Sequence, residues 1–235
     1  MGNGKLYLIP TPLGEYPVEE VLPAKVLDII PTLDCFVVEE LRTARRFLSS
    51  AGLKGKIEGI EFHELNEHTV PEEVEQFAML FRDGRNVGLI SEAGLPAVAD
   101  PGALLVDLCH RKGIKVIPLA GPSSLMLALM ASGLNGQSFA FKGYLPAKTP
   151  ERRKALAELE KLSARLNQSQ IFIETPYRND SMLQDILVCC NENTRLCIAT
   201  NITASDEEID TKTVAQWKKQ TKTIGKRPTV FILLA

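Results

Sequence analysis

Residues 87–102 read VGLISEAGLPAVADPG. The apolar run 87–90 is too short for a helix and reads as a buried strand. It runs into a string of small residues, 91–96, which lets a ligand approach the backbone closely. Asp100 then stands where it can cap a helix with Pro101 at the first position, and that helix is expected to end at Gly113. Strand, tight loop and helix are the repeating unit of a layered α/β fold. The same order recurs on both sides. Toward the N-terminus, residues 5–9 (KLYLI) predict a strand closed by Pro10 and Pro12, and residues 22–30 have helical spacing. Residues 35–38 (CFVV) predict a second strand, 42–51 a helix stopped by Gly52, and 57–62 a short strand. Residues 70–82 predict a helix, with Thr69 as N-cap, Pro71 in the first turn and Gly84 past the end. Toward the C-terminus, strands at 114–119, 139–141, 171–174, 196–200 and 229–234 alternate with helices at 123–132, 151–166, 180–190 and 214–219. The pattern predicts an α/β fold of two α/β domains, 1–117 and 118–235, hinged in residues 118–122. Parallel pairing is expected in at least the first half, with right-handed crossovers.

The chain has 235 residues, 45% of them apolar and 24% charged, an ordinary globular mixture that excludes collagen-like and disulfide-stapled classes. No run approaches the roughly 18–20 apolar residues of a membrane helix, so a soluble protein is expected. The apolar part of MGNGKLYLIP is too short for a secretory signal, and Gly2 lacks the downstream Ser or Thr of a myristoylation site. Five cysteines without a C-x-x-C pair point to reduced thiols in the cytoplasm. The three scattered histidines give no metal-ligand spacing, so no metal site is expected. Charge is uneven: residues 1–117 carry 12 basic and 18 acidic side chains, and residues 118–235 carry 15 and 11. A basic half on an acidic chain suits a polyanionic partner at one face, although solvated helix faces would give the same count.

Open α/β sheets bind ligands where strand ends enter Gly/Pro-rich loops. Residues 10–14, 91–102 and 120–124 are three such places. The first has a single glycine, so the dinucleotide fingerprint G-x-G-x-x-G is absent, and taken alone this loop reads as a rigid turn. In the third, Ser123 or Ser124 can cap the next helix, and no lipase-like G-x-S-x-G accompanies them.

In order and spacing these loops resemble the tetrapyrrole methylase superfamily, and within it the ribosomal RNA small-subunit methyltransferase I family. The family's A-T-P-x-G-N stands here as 10–14, its E-D-T-R-x-T-R-x-L-L as EELRTARRFL (39–48), and its S-D-A-G-x-P-x-x-x-D-P-G as 91–102. Its P-G-P-S-A helix ending in S-G-L stands as 120–134. The family's F-x-G-F-L-P-x-K with a following R-R-K is FKGYLPAKTPERRK (141–154), and its E-S-P-x-R is ETPYR (174–178). The chain departs from the pattern with Glu15 for asparagine, Glu40 and Leu41 within the second motif, and Glu92 for aspartate.

The resemblance implies S-adenosylmethionine as cofactor, bound between two α/β domains, and transfer of its methyl to a ribose 2′-hydroxyl of small-subunit ribosomal RNA. It places the cofactor across Pro12, Leu13 and Gly14, then Ser91, Glu92, Ala93, Gly94 and Leu95, then Ser123 and Ser124, with Tyr144, Pro228 and Thr229 near the adenosine. Glu39 and Glu40 are candidates for the catalytic base, with Glu92 a third; salt bridges from Glu39 and Glu40 to Arg42 or Arg45 are the alternative. Arg42, Arg45, Arg46, Lys148, Arg152, Arg153, Lys154 and Arg178 are candidates for holding RNA phosphates, although 152–154 also fit a solvated helix face. A homodimer is implied. A small-molecule, tetrapyrrole-like methyltransferase and a non-catalytic protein that binds S-adenosylmethionine are the alternatives.

Overall fold

The computed structural model describes residues 4–235, so the reading of Met1 and Gly2 lies outside it. The chain forms two compact units that divide after Ser123. Residues 119–123 stay with the first unit: the Leu119 N–H donates to the Leu8 carbonyl at 3.1 Å, and the Leu119 side chain joins the first core.

The first unit is built on five strands: β1 (Lys5–Ile9), β2 (Cys35–Val38), β3 (Glu61–Glu64), β4 (Val87–Ile90) and β5 (Lys115–Pro118). All pair in parallel, in the order β3-β2-β4-β1-β5. The central strands β2 and β4 are buried at every residue, as their unbroken apolar runs require. Alternation divides their side chains between two cores. Phe36, Val38 and Ile90 pack with Val26 and Leu48 on one face, and Cys35, Val37 and Leu89 pack with Phe81, Leu105 and Leu108 on the other.

The helices of this unit are α1 (Val18–Val21), α2 (Ala24–Ile29), α3 (Leu41–Leu48), α4 (Pro71–Gln76) and α5 (Gly102–Arg111). The helix expected over 22–30 is α2 alone, because Pro23 separates it from α1 as its N-cap. The helix expected over 70–82 is α4 followed by a tighter 3₁₀ stretch, Phe77–Gly84. Its N-cap is Val70, whose N–H is taken by the Glu73 carboxylate at 3.3 Å, whereas the Thr69 hydroxyl accepts from Asn66. The strand expected over 57–62 starts later, as β3, after a 3₁₀ turn.

The second unit contains α6 (Ser124–Ser132), β6 (Phe139–Tyr144), α7 (Thr149–Leu166), β7 (Ser169–Ile173), α8 (Asn179–Cys189), β8 (Arg195–Thr200), β9 (Glu208–Thr213), α9 (Val214–Lys218) and β10 (Thr229–Leu234). Its sheet runs β6-β7-β10-β8-β9; only β6 and β7 are parallel. Phe172 and Phe231 stack at 5.6 Å in its core, and Trp217 is buried there with its indole N–H on the Leu196 carbonyl at 2.9 Å. Strand β9 (EIDTKT) was not expected. It is a half-buried edge strand with a single large apolar residue, and its pairing with β8 makes it a strand. All five cysteines are free thiols. No helix among the described residues is long and apolar enough to cross a membrane.

Candidate functional site

Parallel pairing aligns the carboxyl ends of β1, β2, β4 and β5 on one edge of the first sheet, so the loops that follow them are neighbours there. Residue-level contacts join those loops. Thr11 and Gly94 exchange backbone hydrogen bonds, at 2.9 Å from the Thr11 N–H and 3.2 Å from the Gly94 N–H. The Glu92 N–H donates to Glu39 Oε2 at 3.3 Å, which ties the end of β2 to the β4 loop. At Gly121 a Cβ would lie 2.2 Å from Pro10 Cβ, so the β5 loop lies directly on the β1 loop. Gly94 has φ +77°, and a Cβ there would meet Leu13 Cδ2 at 3.1 Å and the Pro122 carbonyl at 3.5 Å. The loops 10–14, 91–96 and 120–123, far apart in sequence, are therefore one packed cluster, and a side chain at 94 or 121 would strain it.

Asp100 braces the cluster from behind. Its carboxylate accepts from the Ala97 N–H at 2.9 Å and the Gly102 N–H at 2.7 Å. Ser91 is buried, and its hydroxyl approaches Asp100 without closing a hydrogen bond of good geometry. Burial raises the Asp100 pKa, and the two backbone donors oppose the shift. The helix α5 is capped in this way, although its N-cap residue is Pro101, not Asp100.

The two candidate bases separate on their surroundings. Glu40 is the N-cap of α3, with the Arg42 N–H at 2.9 Å and the Thr43 N–H at 2.7 Å on its carboxylate. Those bonds lower its pKa, so Glu40 is occupied as a helix cap and is a poor proton acceptor. Glu39 is half-buried and helps to line a small recess with Leu65, Ser91 and Pro96. Burial first, then the nearby Asp100, Glu92 and Glu67 carboxylates, raise its pKa, against the Glu92 N–H. The salt bridges to Arg42 or Arg45 weighed for these two are absent among the described residues; the Arg45 guanidinium instead sits 5.4 Å over the Phe62 ring.

The remaining candidates lie as follows. Ser123 ends the first unit, and Ser124 opens α6 in the second. Tyr144 ends β6 and is 58% exposed. The Pro228 carbonyl accepts from the Asn201 N–H at 2.9 Å. The Thr229 hydroxyl is held between Asn179 Nδ2 and the Arg227 carbonyl. Arg42, Arg45, Arg46, Lys148 and Lys154 are exposed. Arg152 is not. It is 2% exposed, and its guanidinium bonds the buried Asp185 at 2.5 Å and the Ala147 carbonyl at 2.8 Å. It is an internal ion pair of α7 and α8 and is withdrawn from the phosphate-binding set. Arg153 shares Asp185 from the surface side at 2.6 Å. Arg178 is held by the buried Glu174 at 2.6 Å.

Sequence reasoning missed the juxtaposition of Cys35, Glu61 and His63, whose ligand-type atoms lie within 4.8 Å of one another. Neighbouring strands create it. Glu61 is shared there between Arg85 at 2.5 Å and His63 at 2.7 Å, and burial pushes the Cys35 thiol up to about 11. Thr11 and Gly121 lie in loops the sequence marks, but their individual importance comes from what touches them.

The loop cluster can be tested against S-adenosylmethionine. The Thr11 hydroxyl is buried with no hydrogen-bond partner among the described residues, so a polar ligand group would satisfy it. Gly14 and Ala93 are exposed and leave backbone open to close approach. The residues fit such a ligand.

A family model for the tetrapyrrole (corrin/porphyrin) methylases matches residues 5–217. A ribosomal RNA small subunit methyltransferase I from Vibrio cholerae is 32% identical over 90% of this chain and 69% of its own length. The protein of that name from Escherichia coli O157:H7 is 30% identical over 98% of this chain and 78% of its own. Among solved structures, a uroporphyrin-III C-methyltransferase from Thermus thermophilus, complexed with S-adenosylhomocysteine, shares the fold: TM-score 0.58 and 16% identity, over 98% of this chain and 97% of that one. The chain belongs to the tetrapyrrole methylase family and is an S-adenosylmethionine-dependent methyltransferase.

Proposed function

We propose that the protein methylates a ribose 2′-hydroxyl of small-subunit ribosomal RNA. The observation that carries this reading is the identity of 30–32% to relatives named for that RNA, over nine-tenths or more of the chain. The stitched loop edge supports it as a cofactor cradle of Pro12, Leu13 and Gly14 with Ser91, Glu92, Ala93, Gly94 and Leu95, and Ser123 and Ser124 are proposed as further contacts. Tyr144, Pro228 and Thr229 are proposed for the adenosine side.

When bound, S-adenosylmethionine supplies a methyl group on a positively charged sulfur. The loops contribute position. Holding acceptor and methyl in line can supply roughly 7–11 kcal/mol of the barrier. A ribose hydroxyl is weakly acidic, so a side chain that takes its proton helps. Glu39 is the better candidate of the pair: its raised pKa makes it the stronger base once ionised, whereas Glu40 is fixed to backbone donors. Arg42, Arg46, Lys148 and Lys154 remain exposed and able to meet phosphates. The pairing of two chains rests on the family resemblance and is tested by sedimentation at micromolar concentration. A cytoplasmic site of action follows from the proposed substrate and the free thiols.

The test is transfer of labelled methyl from S-adenosylmethionine to small subunits purified from a strain lacking this enzyme. The reading expects incorporation that alkaline-resistant dinucleotides map to a ribose. Cofactor binding without incorporation would overturn it.

A further inference from the structure

We propose that Tyr177, Lys226 and Arg178 form a prebuilt platform for one unpaired nucleotide of the RNA, with the tyrosine ring under the base and the two cations at flanking phosphates. This rests on the RNA reading above and adds where the second unit grips the substrate. Tyr177 sits in the 3₁₀ turn Pro176–Arg178 that leaves β7, and at 78% exposure it is the most exposed large apolar side chain among the described residues. The Lys226 ammonium stands 4.8 Å from its ring centroid. Arg178 is fixed on its inner side, where Nε and Nη2 donate to Glu174 Oε1 at 3.0 and 2.6 Å. The Glu174 side chain is fully buried, so the guanidinium is anchored, and the Arg178 side chain is still 39% exposed.

The loop bearing Lys226 is held as firmly. Asn179 Nδ2 donates to the Gly225 and Arg227 carbonyls at 3.1 and 2.7 Å, and Asp180 Oδ1 accepts from the Ile224 N–H at 2.7 Å. The nearby acids are thus committed: Asp180 to backbone, Glu174 to Arg178, and Glu208 to Lys222 and Arg227. An exposed aromatic ring with a lysine over one face and an anchored arginine next to it in the same turn matches a base with its phosphates.

The probe is a 12-nucleotide single-stranded RNA, read by fluorescence anisotropy with the full chain. Tyr177→Ala should weaken binding roughly 5–160-fold, the range of one lost base stack, whereas Tyr177→Phe and Tyr177→Trp should retain it. Lys226→Gln should reduce the salt dependence by about one phosphate contact. Photocrosslinking with 5-iodouridine should map to Tyr177. The melting shift with S-adenosylmethionine should stay at the wild-type value in all variants, showing that they fold. If the wild type methylates small subunits and Tyr177→Ala does so with unchanged KM and RNA affinity, the platform is wrong and the RNA reading stands. If the wild type neither binds the oligonucleotide nor methylates subunits, both fall.

Discussion

Gly121→Ala is the sharpest probe of the loop cluster. The added methyl would lie 2.2 Å from Pro10 Cβ and 2.3 Å from Pro10 Cγ. Ordinary contact begins near 3.4 Å, so the β1 and β5 loops must part by about 1.2 Å. Overpacking of this kind costs about 1–3 kcal/mol, and at about 2–4 °C per kcal/mol the melting midpoint should fall by several degrees. The catalytic effect should be larger, since a misplacement of about 1 Å can cost ~10²-fold in rate. Pro10→Gly removes both offending atoms and leaves Pro10 Cα at 3.7 Å from the new methyl. The double variant should therefore regain most of the lost cofactor affinity, measured by the melting shift at graded S-adenosylmethionine. Wild-type affinity and rate in the single variant would refute the idea that these loops position the cofactor. Failure of the double variant to recover would refute the steric cause.

Three further outcomes follow from other contacts. Burial raises the Glu39 pKa, so ionising it penalises the native state at pH values above its folded pKa, and the penalty disappears once pH falls below the unfolded value. Glu39→Gln should therefore melt higher than wild type at pH 8 and level with it in acid, while losing methyl transfer; an unchanged rate would remove Glu39 as the base. In Arg152→Met the buried Asp185 keeps only Arg153, and urea unfolding should show a loss of about 3 kcal/mol, whereas Lys154→Glu should leave stability near wild type. Gly94→Ala places a side chain at φ +77°, which costs about 1–2 kcal/mol, and should weaken cofactor binding more than it lowers the melting midpoint of the free protein.

The sequence alone determined the layered α/β class, because short apolar runs such as CFVV, rich in β-branched and aromatic residues, read as buried strands and the breaks between them carry proline, glycine and capping acids. It also marked the three loops as Gly/Pro-rich strand ends, and the resemblance to the methylase family singled them out for the cofactor. It did not reveal β9, whose pattern is polar and whose strand state comes from pairing with β8. It split neither 22–30 at Pro23 nor 70–82 at Phe77, because the apolar period continues across both breaks. Within the site, a row of carboxylates and arginines looks uniform in one dimension. Only the folded chain separates Glu40, spent on the N–H groups of α3, from Glu39, half-buried and raised in pKa, and Arg152, paired in the interior, from Lys154 at the surface. The physical reason is that a charged group's chemistry is set by its desolvation and its partners, and tertiary packing chooses both.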